Sequence, residues 1–175
     1  MGTPKALIEF EGQPLVVRVA ERIAVVAHPV YLATGTPGRL GDLGLHEVED
    51  VREGAGPLGG LIAGLEASPH ALLAAVAADM PFASSQVLRL LAALHVNEDA
   101  VVPVTPSGLE PLHAVYSREA VPALREALDR GTFGLRAILQ RLRVRLVTQD
   151  EWRAADPTGR FALNLNSPED FSLLG

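Results

Sequence analysis

The stretch ALLAAVAADMPF, residues 71–82, decides how the rest of the chain is read. Its first eight residues form the longest apolar run in the molecule, and Asp79, Met80 and Pro81 end that run abruptly. A short apolar run closed by a turn signal reads as a fully buried strand. Asp79 then stands at the strand's carboxyl end, at the edge of the core. An isolated buried charge is costly, so this carboxylate should have a partner. A divalent cation is one candidate, and capping of the turn ahead of Pro81 is the other.

Working outward, strands alternate with helices on both sides. Residues 13–24 (QPLVVRVAERIA) carry apolar residues at helical spacing, with Pro14 where a first helical turn tolerates it. PVYLAT (29–34) and LHEVED (45–50) read as strands, and GPLGGLIAGLEAS (56–68) as a helix of small residues entered through Gly-Pro. Ser84 and Ser85 can cap a helix over 86–95, and AVVPV (100–104) reads as a strand. Beyond it come a strand over 108–117, two short helices, strands at 144–149 and 161–165, and a helix over 167–174 with Ser167 as its N-cap. This alternation predicts an α/β fold: a doubly wound, mostly parallel sheet with a small antiparallel portion toward the C-terminus. Ligands of such sheets sit at the carboxyl ends of the strands.

At 175 residues the chain is expected to be a single domain, 1–175, with a proper core. The net charge of −6 argues against nucleic-acid binding, which basic surface drives. No apolar run has the length of a membrane helix, so no membrane partner is expected. There is no cysteine, which excludes disulfides and thiolate chemistry and fits a cytoplasmic protein.

Three further stretches can carry chemistry. The opening MGTPKALIEF holds Lys5, the only lysine, since the rest of the 15 basic residues are arginine. EDVREGAGPLGG puts Glu49 and Asp50 at a strand end, ahead of glycines that let a backbone pass close to a ligand or simply pack tightly. FALNLNSPEDF places Asn164 and Asn166 two apart, on one face if the segment is a strand, where paired amides could bind a phosphate or serve as turn caps. His113 and Tyr116 of EPLHAVY lie on a predicted strand. A lone histidine there is expected to be a structural hydrogen bonder. Arg141, Arg143 and Arg145 share one face and read as a solvated surface.

Taken in order, MGTPKALIEFEGQPLVVRV, GPLGGLIAGLEAS, ADMPF, EPLHAVY and NLNSPEDF resemble the MobA-type molybdenum cofactor guanylyltransferases over essentially the whole chain. The resemblance implies a Rossmann-like nucleotidyltransferase fold. It implies transfer of GMP from GTP to molybdopterin, with pyrophosphate released and Mg2+ required. By the same resemblance Lys5 contacts the GTP phosphates, Asp79 holds magnesium and nucleotide, and Asp50 contacts the nucleotide. Gly56, Pro57, Asn164 and Asn166 fall on the molybdopterin side. Where the family often has an asparagine, this chain reads LATGTPG, so that nucleotide contact is absent or is made by Thr34 or by backbone. Molybdoenzyme apoproteins or their chaperones are the partners implied downstream.

The family normally opens with a strand ending LAGG and a loop ending RMG, whereas this chain starts at the Met of RMG. The expectation is therefore that Met1 is an internal methionine, and that a central strand belongs between PVYLAT and ALLAAVAA. Three other readings stay open: cytidylyl transfer to molybdopterin, nucleotidyl transfer to a sugar or alcohol phosphate, and a non-catalytic binding module.

Overall fold

The computed structural model describes residues 5–165, and Lys5 by its backbone alone. Among the described residues, strands run in chain order as β1 (Glu9–Phe10), β2 (Gln13–Pro14), β3 (Tyr31–Ala33), β4 (His46–Val48), β5 (Leu72–Val76), β6 (Ala100–Thr105), β7 (Gly108–Leu109), β8 (His113–Ser117) and β9 (Val144–Val147). Interleaved with them are the α-helices α1 (Leu15–Ala24), α2 (Pro57–Ala67), α3 (Ser85–Leu94), α4 (Val121–Asp129), α5 (Leu135–Leu139) and α6 (Gln149–Trp152). The predicted order of elements holds, with local differences. Gln13 and Pro14 pair with Glu9 and Phe10 in a small hairpin, so α1 starts at Leu15 rather than at Gln13. The stretch 108–117 divides into β7 and β8. The expected strand over 161–165 is instead a 3-10 turn at Arg160–Ala162. The helix expected over 167–174 lies outside the described residues.

The main sheet is mixed. β8 lies antiparallel between β5 and β6, and β9 joins β6 in parallel. β3 and β4 form a separate parallel pair. Period-two alternation sorts the side chains of the main sheet. Leu73, Ala75, Ala100, Val102, Ala114 and Tyr116 pack toward α2, α4 and α5. Leu72, Ala74, Val76, Val101 and Val115 face the opposite layer, which holds α3, Trp152 and Phe161. Ile23 of α1 packs in that same layer, so α1 and α2 lie on opposite sides of the sheet.

β8, not the run 71–78, is the fully buried strand: all five of its residues are buried, whereas all five of β5 are only half-buried. The reason is pairing. β8 has a neighbour on each edge, while β5 is paired only with β8 among the described strands. Its other edge borders a cavity of about 1370 Å³, and β3 forms the opposite wall. Consecutive residues of both strands line this space, Tyr31 to Thr34 and Leu72 to Asp79. Neighbouring strand residues point to opposite faces, so only a cavity running along the strand edge can touch them all. α1 and α2 close it from the two faces, through Val16, Val19, Gly60 and Gly64 among others.

The glycines of α2 follow from packing. A Cβ on Gly60 would sit 2.7 Å from the Ala33 Cβ, and one on Gly59 would sit 2.9 Å from the Ala55 Cβ. Neither neighbour is the end of a flexible side chain. Gly60→Ala would gain about 1 kcal/mol of helix propensity but incur about 1–3 kcal/mol of overpacking. At 2.7 Å the clash dominates. The expected result is a net loss of up to about 2 kcal/mol, read as a lower urea midpoint with an unchanged m-value.

Candidate active site

Three carboxyl-end positions line the cavity: Thr34 after β3, Asp50 after β4 and Asp79 after β5. Gly56 and Pro57, at the entry to α2, line the same cavity, and so does Ala6, next to Lys5. Five of the eight residues singled out in the sequence are thus brought together. Lys5 begins a 3-10 turn, Lys5–Leu7, whose next residue reaches the cavity. Asn164 is exposed and outside the cavity lining, but its neighbour Leu165 donates its N–H to the Asp79 carbonyl at 2.9 Å. Asn166 lies outside the described residues.

Asp50 is held by its surroundings. Its own N–H donates to the Gly35 carbonyl at 3.4 Å. Its carboxylate lies against Gly59 and Gly60, whose Cβ positions would fall 3.2 and 3.4 Å from its oxygens. Small residues in α2 therefore give this carboxylate its place as well as close packing. Burial raises the Asp50 carboxyl above the usual aspartate range, and a backbone hydrogen bond at Gly35 offsets part of that rise. Gly56 has φ +57°, ψ −144°, a conformation that L side chains rarely adopt, and its carbonyl accepts from the Gly59 N–H at 3.0 Å. The Thr34 hydroxyl donates to the Thr36 carbonyl at 2.8 Å, which folds the following loop back on itself.

The loop after Asp79 is fixed from several sides. Arg18 Nε donates to the Pro81 carbonyl at 3.4 Å and Arg22 Nε to the Ala83 carbonyl at 2.8 Å. The Ser84 N–H donates to His113 Nε2 at 3.0 Å. Ser84 Oγ caps α3 by accepting from the Val87 N–H, as expected. The reading of His113 as a structural hydrogen bonder is borne out. The two arginines were not singled out in the sequence. The available signal was their i, i+4 spacing on the helix that faces the buried loop.

His113 is fully buried, with its ring 4.7 Å from that of Phe161. Burial lowers its pKa to about 4, and a smaller opposing effect comes from Asp156. The folded protein therefore holds the ring neutral while the unfolded chain takes up a proton near 6.5. The unfolded state binds more protons between those values, so the contribution is fully present above pH 6.5 and is lost as pH falls toward 4. About 2 kcal/mol should be gone by pH 5. Chemical denaturation at pH 7 and pH 5 should show this slope in the wild type and a much smaller one in His113→Gln.

Around the cavity stand half-buried carboxylates at strand ends, a glycine-entered helix and a clamped loop, in an α/β fold. Solved structures share this fold. The chain superposes with TM-score 0.85 on molybdopterin-guanine dinucleotide biosynthesis protein A from Archaeoglobus fulgidus, at 24% identity over 98% of this chain and 89% of that one. A 2-C-methyl-D-erythritol 4-phosphate cytidylyltransferase from Thermus thermophilus gives TM-score 0.69 at 20% identity, over 98% of this chain and 92% of that one.

Residues 1–147 match the MobA-like NTP transferase domain, and the chain belongs to that family. It is 31% identical to the molybdenum cofactor guanylyltransferase of Desulfosudis oleivorans, over 97% of this chain and 84% of the relative. It is 33% identical to a probable molybdenum cofactor guanylyltransferase of Methanosarcina mazei, over 95% of this chain and 80% of the relative. Among the described residues, no helix is long and apolar enough to cross a membrane.

Proposed function

We propose that the chain transfers GMP from GTP to molybdopterin, giving the guanine dinucleotide form of the cofactor. The observation that supports this reading is that Thr34, Asp50, Gly56, Pro57 and Asp79 line one cavity, in a chain of this family. An oxygen of the molybdopterin phosphate monoester attacks the α-phosphorus of GTP. The new P–O bond forms as the bond to the β-phosphate oxygen breaks, and pyrophosphate leaves. A phosphate monoester has its second pKa near ~6, so the nucleophile is already anionic and no strong general base is needed. Catalysis then rests on positioning and on stabilising charge.

A divalent cation, Mg2+ by family habit, fits the donor set. Among the described residues no group of three or more metal-binding side chains occurs. Magnesium suits such a site, because it is commonly held by one or two carboxylates together with substrate phosphates. Asp79 would hold it, and when bound it would neutralise charge on the phosphates. Asp50 and Thr34 would contact the nucleotide, and Lys5 its phosphates. Gly56, Pro57, Asn164 and Asn166 would lie toward molybdopterin.

The test is pyrophosphate release from GTP and from CTP with molybdopterin as acceptor. It should be run on this chain and on the same chain with an apolar strand added ahead of Met1. GTP-dependent release is expected. Release with CTP alone would replace guanylyl by cytidylyl transfer, and activity only with the added strand would assign the space between β3 and β5 to it. GTP turnover with a sugar or alcohol phosphate but not with molybdopterin would overturn the acceptor.

A further inference from the structure

We propose that His113 is a positioning residue for Asp79: by accepting the Ser84 N–H it anchors the far end of the loop that Asp79 begins. The proposal rests on the reading of Asp79 as the residue that meets the cation and nucleotide.

The geometry is specific. His113 opens β8 opposite Val76, the last residue of β5, so it sits beside the point where the chain leaves the sheet toward Asp79. The Ala77 N–H donates to the Leu112 carbonyl at 2.9 Å, which ties that exit to the residue before His113. Nε2 then takes the Ser84 N–H at 3.0 Å, at the entry to α3. Two consecutive residues, Leu112 and His113, thus grip both ends of the loop, and Arg18 and Arg22 hold its Pro81 and Ala83 carbonyls from α1.

The histidine is a costly choice for this place. Nε2 accepts, so the neutral ring carries its proton on Nδ1. That buried nitrogen has no hydrogen-bond partner among the described residues. An unsatisfied buried donor lowers stability, and Phe161 beside the ring, itself packed on Trp152, would welcome an apolar residue. Leucine there would relieve the orphaned donor but would leave the Ser84 N–H without its acceptor. The sequence accepts the internal cost and keeps the loop anchored. Local rules are characteristically broken in this way next to functional groups.

The test compares His113→Leu, which removes the acceptor, with His113→Gln, whose amide oxygen can reach the Nε2 position. Asp79→Asn is the control. Two quantities are read on the folded proteins: Mn2+ affinity in the presence of GTP without acceptor, and amide exchange at Ser84 and its neighbours. His113→Leu should weaken Mn2+ binding about tenfold and speed exchange at Ser84 at least tenfold. His113→Gln should stay within about threefold of wild type in both. If the leucine variant does not fold, His113→Phe takes its role, since its ring likewise offers no acceptor nitrogen. Wild-type affinity in a folded acceptor-less variant, with Asp79→Asn weakened, overturns the proposal alone. Unchanged exchange at Ser84 also overturns it. Absence of Mn2+–GTP binding to the wild type, or equal binding by Asp79→Asn, overturns the reading of Asp79 and this proposal with it.

Discussion

Asp79→Ala is expected to reduce GMP transfer by about a hundredfold or more, the scale seen when one preorganised electrostatic contact to a transition state is removed. The carboxylate stands at the end of β5, its main chain held by the Leu165 N–H and its loop by Arg18, Arg22 and His113. Such support means that the group need not reorganise when charge develops on the phosphates. The loss should fall mainly on kcat if Asp79 acts in the transition state, and on KM alone if it only binds nucleotide. The fold should survive, because Asp79 is half-buried at a sheet end rather than packed in the core. Single-turnover transfer at saturating GTP, with circular dichroism as a control for folding, measures the effect. Turnover near the wild-type rate together with an unchanged KM for GTP would remove Asp79 from the active site.

The sequence carried much of this arrangement, for physical reasons that differ from residue to residue. Asp79 was legible because a charge directly after eight apolar residues is anomalous, and the strand end it marks is a strand end in the structure. The glycines of α2 were visible, but their purpose was not. Periodicity cannot reveal that Gly60 sits under Ala33, a residue 27 positions earlier whose contact depends on the tertiary fold. The expectation that 71–78 would be the most buried strand failed for a related reason. Apolar composition reports what a strand can bury, and pairing decides what it does bury. β8, which includes a histidine and a serine, has neighbours on both edges and is buried along its whole length. The 161–165 segment was misread because its spacing fits a strand, while Gly159 in a left-handed conformation, three Asp156 carboxylate contacts to backbone N–H groups and a Thr158 contact turn the chain into a 3-10 helix. An acidic side chain binding its own downstream backbone is a local competitor that strand periodicity does not register.

Lys5→Ala carries the second large expectation: a loss of transfer comparable to that of Asp79→Ala, with Lys5→Arg failing to restore it. Lys5 opens the 3-10 turn whose next residue, Ala6, lines the same cavity as Asp50 and Asp79. Two carboxylates line that cavity, so a nucleotide triphosphate needs cationic charge from the protein as well as from a metal. No arginine at position 5 should serve. A lysine ammonium is a compact point charge on a flexible stem, while guanidinium is a planar fork with fixed donor directions, and the two are not interchangeable where phosphates change geometry. The composition sharpens the argument. A chain that uses arginine at every other basic position has kept a lysine here. If the residue were only a solvated surface charge, alanine or arginine would cost little, since isolated surface charges contribute at most about 1 kcal/mol. Steady-state transfer across a GTP titration separates the two views. A hundredfold drop in kcat/KM for both variants supports a phosphate contact. Full activity of Lys5→Arg would reduce the role to charge alone, and full activity of Lys5→Ala would remove Lys5 from the site.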